Sequence, residues 1–127
     1  MTEERDVVFV SGTLPGDAVS VLSESFNVAR DEGGVRPEAF AACAARVRGI
    51  VALLTDRIDV SLLDRAPKLA IVANVAVGID NVDLAACSAR NVLVTNTPDV
   101  LTEATADLTF GLLIDAARRL TEGDRLV

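Results

Sequence analysis

The 127-residue sequence contains no histidine, tryptophan or tyrosine, and Lys68 is its single lysine. Without histidine the chain lacks the commonest general acid–base group and the commonest metal ligand, so no metal site is expected. The net charge is −7 and no basic stripe exists, so nucleic acid is not an expected partner. The longest apolar run is too short to cross a bilayer, so no membrane partner is expected either. The amino terminus, MTEERD, is polar and acidic, unlike a signal peptide. Together these absences point to a cytoplasmic protein. Cys43 and Cys87 have no CxxC spacing and read as buried, reduced, structural thiols. No GxGxxG, GxSxG or P-loop occurs, so the usual phosphate-binding fingerprint of a dinucleotide domain is missing.

What is present is aliphatic. Half of the residues are hydrophobic and only four are phenylalanine. The core must be built from Val, Leu, Ile and Ala, as in a parallel sheet covered on both faces. The length suits one compact domain. DVVFVS (6–11) reads as a first buried strand. A helix follows over 16–25, and a short edge strand over 26–29. Gly33-Gly34 sit in a solvated loop. Pro37 opens a helix reaching to about Val47. GIVALL (49–54) reads as a central strand with Thr55-Asp56 at its carboxyl end. Val60, Leu62 and Leu63 mark a short helix that Pro67 ends. Residues 69–74 form a fourth strand, Asp83 caps a helix over 84–90, and residues 92–96 form a fifth strand. This alternation predicts an α/β fold with a flavodoxin-like, five-stranded parallel sheet in the order 2-1-3-4-5.

A long apolar helix follows, with Thr102 at its start and Glu103 in its first turn. Leu108, Phe110, Leu112, Leu113, Ile114 and Leu120 are not confined to one stripe. Such a helix expects cover on several sides, from another domain or another subunit.

Chemistry is expected in the loop Val75-Ala76-Val77-Gly78-Ile79-Asp80. Ligands of open α/β sheets bind outside the carboxyl ends of strands. Gly78 has no Cβ, so its amide can face a ligand, and consecutive N–H groups can form a concave anion site. On the residues alone, an isolated glycine is a weak signal, and Gly78 is better read as merely making the turn before the next helix. Asp80 reads as a loop brace and Asp83 as a cap, and the pair is not expected to do acid–base work.

The wider run VGIDNVD (77–83), VTNTPDVLTEATAD (94–107) and the helix ending AARRL with GDR beyond it closely resembles the N-terminal half of D-isomer-specific 2-hydroxyacid dehydrogenases, in particular the glyoxylate/hydroxypyruvate reductase branch. The likeness runs from about Gly49 to the last residue. It implies a substrate-binding domain over residues 1–100, incomplete by itself. Residues 101–127 would form an interdomain and dimerisation helix leading to a Rossmann NAD(P)-binding domain outside this sequence. It implies hydride transfer between NAD or NADP and a small 2-oxo or 2-hydroxy acid, glyoxylate or hydroxypyruvate. It also implies that Val77 and Gly78, with Ala76 beside them, hold the substrate carboxylate. Leu54 would approach the substrate from the other side, and Thr105 would lie against the cofactor. The family's catalytic arginine, glutamate and histidine come later than Val127, so no catalytic residue is expected in this chain. Alternatives from other classes are a phosphoryl-accepting receiver domain with Asp56 as acceptor, and a stand-alone small-acid binding module. Against a receiver, the first strand ends in Ser11-Gly12 instead of an acidic pair.

Overall fold

The computed structural model describes residues 5–35 and 37–126. They form two compact units, one ending at Thr97 and one beginning at Pro98. In the first, strands and helices alternate: β1 (Val7–Ser11), α1 (Ala18–Ser25), β2 (Asn27–Asp31), α2 (Pro37–Ala41), β3 (Val47–Leu53), α3 (Val60–Arg65), β4 (Ile71–Val75), α4 (Leu84–Ala89) and β5 (Leu93–Thr95). The five strands pair in parallel in the order β2-β1-β3-β4-β5, as the alternation of apolar runs predicts, with β3 at the centre. Continuous apolar strands suit a sheet with both faces covered. Phe9, Ile50 and Val72 are accordingly at most 1% exposed. The rings of Phe9 and Phe40 meet edge to face at 5.3 Å, and the Arg65 guanidinium stands 5.9 Å from the Phe40 centroid.

One boundary departs from the sequence reading. The helix expected to reach Val47 ends at Ala41, and residues 44–46 tighten into a 3-10 turn. The alanines favour helix, but β-branched Val47 is fully buried and pairs with Val7 in the sheet. Tertiary packing outweighs a per-residue propensity of well under about 1 kcal/mol.

Two side-chain caps start the helices flanking the site. Asp59 accepts the Leu62 amide at 3.1 Å and opens α3; Asp83 accepts the Ala86 amide at 2.9 Å and opens α4, as expected from sequence.

The second unit holds α5 (Thr102–Arg118) and α6 (Leu120–Asp124). Three expectations are corrected here. Leu101 occupies the N-cap position without a side-chain cap bond, so Thr102 is already helical and caps nothing. The helix is also mixed in character: Thr105, Asp107, Thr109 and Asp115 interrupt its aliphatic residues. No helix among the described residues is long and apolar enough to cross a membrane. Finally, the helix does not run through Leu120. Arg119 takes a left-handed conformation (φ 54°) and separates α5 from α6.

Candidate functional site

The carboxyl ends of β3 and β4 lie side by side, with Leu53 paired to Val75. The next residues, Leu54 and Ala76, therefore share one rim of the sheet, and Val77 and Gly78 continue it. Leu54 is 68% exposed and Val77 48% exposed, and Gly78 is exposed as well. Thr105 belongs to the second unit, where its carbonyl accepts the Thr109 hydroxyl at 2.7 Å.

The loop after β4 is held by its carbonyls. The Ala76 oxygen accepts the Thr97 amide at 2.9 Å, and the Val77 oxygen accepts Asn96 Nδ2 at 2.8 Å. The Gly78 oxygen accepts Asn74 Nδ2 at 2.9 Å. Among the described residues, no hydrogen bond is donated by the amides of Val77 or Gly78. The three acceptors are thus committed to the protein, while the two neighbouring donors are left for a ligand. Adjacent free N–H groups at a strand end are what an anion needs.

Gly78 can now be judged against the turn-making alternative. Its φ is not positive, so its backbone is one that other residues adopt. A Cβ placed on it would meet only Asp80 Oδ2, at an ordinary 3.6 Å. Among the described residues, nothing inside this unit requires glycine there, and the missing Cβ leaves room for close approach from outside. The same distance puts a carboxylate beside the loop, so Asp80 opposes an anion instead of bracing the turn through a bond.

Beneath the loop lie two carboxamides that the sequence reading did not single out. Asn74, 1% exposed, donates to Gly78 O and to Asn81 Oδ1 at 3.1 Å. Asn81 Nδ2 donates one proton back to Asn74 Oδ1 at 3.0 Å and shares the other between the carbonyls of Asp56 at 2.9 Å and Leu53 at 3.2 Å. The signal for Asn74 was present: a carboxamide interrupting the apolar run IVANV must find partners once buried. Breaking such a buried pair costs about 1–3 kcal/mol.

Asp56 is 6% exposed, and its carboxylate is fully engaged. One oxygen accepts the Ser11 hydroxyl and, at 2.7 Å, the Leu53 amide; the other accepts the Val35 amide at 3.0 Å. Gly34 (φ 92°) must be glycine, because a Cβ would stand 2.9 Å from this carboxylate. A phosphoryl acceptor needs an open oxygen; Asp56 instead ties the ends of β1 and β3 to the loop after β2.

Two clefts open near this rim. One of about 450 Å3 is lined by Arg57, Asp59, Asp80, Asn81 and Asp83, among others. Another of about 370 Å3 is lined by Gly12, Gly34, Leu53 and Arg57, among others. Neither includes Val77 or Gly78. The larger carries the carboxylates of Asp59, Asp80 and Asp83, which repel a carboxylate ligand, beside the single cation of Arg57. At the start of α1, Asp17 occupies the N-cap position and makes no side-chain cap bond.

Comparison with known proteins gives the family and the fold. Residues 7–121 match the family model described as D-isomer specific 2-hydroxyacid dehydrogenase, catalytic domain. The glyoxylate reductase of Pyrococcus horikoshii is 43% identical over 122 residues, which is 94% of this chain but 36% of that protein. The solved TT0316 protein from Thermus thermophilus superposes with a TM-score of 0.83 at 43% identity, covering 94% of this chain and 39% of that one. An NADPH-dependent glyoxylate/hydroxypyruvate reductase from Sinorhizobium meliloti, solved in complex with NADP and malonate, has a TM-score of 0.78 at 35% identity, covering 96% and 38%. The chain thus spans little more than a third of the length of the relatives it matches. On the strength of that family match, the chain belongs to the D-isomer specific 2-hydroxyacid dehydrogenases.

Proposed function

We propose that the first unit binds the carboxylate of a small 2-oxo acid, glyoxylate or hydroxypyruvate, for an NAD(P)-dependent D-2-hydroxyacid dehydrogenase. The observation that carries this reading is the pair of uncommitted amides at Val77 and Gly78, on a loop whose Ala76, Val77 and Gly78 carbonyls are tied down. The malonate present with the Sinorhizobium meliloti reductase is a small carboxylate of the same class, which supports the choice of ligand. In this reading Ala76 shapes the loop and Leu54 closes on the substrate from the end of β3. Thr105 is the residue of this chain that lies against the cofactor, NAD or NADP. Residues 1–100 serve as the substrate-binding domain. Residues 101–127 serve as an interdomain and dimerisation segment, through which two copies pair in the cytoplasm.

The chain by itself is proposed to be inactive. Two amides can hold a carboxylate and orient the carbonyl beside it, but they supply neither a hydride nor a proton. The test is an amide-resolved NMR titration of the 127-residue chain with oxalate, a stable mimic of glyoxylate. Val77 and Gly78 should show the largest shifts. Saturable shifts confined to other residues would overturn the binding reading. Turnover of glyoxylate with NADH or NADPH by the same chain would overturn the inactivity.

A further inference from the structure

The reading of Val77 and Gly78 as the carboxylate grip leaves open what fixes those amides in space. We propose that the Asn74–Asn81 carboxamide pair is the positioning device, holding the grip and the Leu54 segment at one set separation. The inference rests on the binding reading just given.

The two side chains face each other and exchange hydrogen bonds in both directions, at 3.1 and 3.0 Å. Each then reaches outward with its amino group to backbone carbonyls. Asn74 takes Gly78 O, inside the grip; Asn81 takes Leu53 O and Asp56 O, on either side of Leu54 and Thr55. Because every outer partner is a carbonyl oxygen, only the NH2 groups can point outward, and the orientation of both amides is fixed. A peptide unit is planar, so an anchored carbonyl limits the rotation of the plane it belongs to. The Gly78 carbonyl shares its plane with the Ile79 amide, so the Asn74 bond fixes the grip from its carboxyl side, while the planes that carry the Val77 and Gly78 N–H groups are held through the Ala76 and Val77 carbonyls by Thr97 and Asn96. The pair thus couples two segments that approach one substrate from opposite sides, and a shift in either would loosen the fit.

A purely structural role would lower stability and affinity together, so the test separates them. In the full chain, Asn81→Ala should weaken oxalate binding by about tenfold or more well below its melting temperature. Asp83→Ala, which removes the α4 cap two residues away, should lower the melting temperature while leaving the oxalate Kd unchanged. Equal oxalate affinity in wild type and Asn81→Ala would overturn the positioning role while leaving the binding reading intact. Equal loss of affinity in both variants would overturn it too. No response at Val77 and Gly78 in the wild type would remove both readings. Should Asn81→Ala fail to fold, the wild-type side-chain NH2 resonances decide. Those of Asn74 and Asn81 should be protected and should shift with oxalate; rapid exchange and no shift would overturn the inference.

Discussion

At Gly78 φ is not positive and the nearby space is open, so the protein can accept a larger residue there while the proposed ligand could not. Gly78→Val is expected to move the melting temperature by no more than about 3 °C and to weaken oxalate binding by about tenfold or more. Thermal melts paired with titrations check both halves. Asp80 acts in the opposite sense. Its carboxylate stands beside the loop, and like charges repel. Asp80→Asn should therefore tighten oxalate binding by roughly fivefold at low ionic strength, a gain that shrinks as salt is added. An unchanged affinity in the low-salt titration would contradict it.

The cysteines carry a pH dependence unrelated to the ligand. Burial pushes the Cys87 thiol above its ordinary value, with Asp83 adding to the effect and Arg90 opposing it. Burial likewise raises Cys43, against the pull of Arg46 and its own backbone hydrogen bond. A raised folded value means that the unfolded chain releases its proton first. The stabilisation is therefore complete below the unfolded value, about 8.5, and is lost as pH rises through the folded ones. Urea midpoints should fall on the alkaline side, and Cys87→Ala should flatten that fall.

Among the elements, the break between α5 and α6 is the least expected from sequence, because neither glycine nor proline stands at Arg119. The cause lies in side chains one turn away. Asp115 accepts the Thr121 amide at 2.7 Å and its hydroxyl at 2.9 and 3.0 Å, which caps α6. Arg119 reaches Glu122 through two bonds of 2.6 Å. These bonds offset a left-handed residue costing about 1–2 kcal/mol. Asp115→Ala is expected to fray α6, read as faster amide exchange over residues 121–124 with the first unit unaffected. The strands, by contrast, were legible to within a residue or two, because their apolar runs are short and bounded by turns. The end of α2 was not, since an alanine run carries helix propensity but no stop signal. At the site, the exposed loop and Gly78 could be found from sequence. The carboxamide pair beneath could not, because its meaning lies in partners that only the fold brings together: Asn74 and Asn81 flank the loop they support, and Leu53 comes from another strand.

For the whole molecule, the exposed apolar side chains of α5 set the behaviour expected in solution. Leu108, Phe110, Leu112, Leu113 and Ile114 are each at least 42% exposed, an apolar surface of the kind that associates. A net charge of −7 works against self-association through repulsion. Light scattering should therefore show mass rising with concentration, more strongly at high salt, where the repulsion is screened. A monomer at high concentration in high salt would sink the proposed pairing.

The order of the sheet also dictates when its centre can close. β1 is made first, yet one of its two edges waits for β3, with Val8 beside Gly49. Until that later stretch emerges during synthesis, the first strand has only the short β2 beside it. Closing so wide a loop before any reward is gained slows the search. This small domain should accordingly fold in roughly milliseconds to seconds instead of microseconds, leaving β1 open to chaperones or to neighbouring copies while it waits.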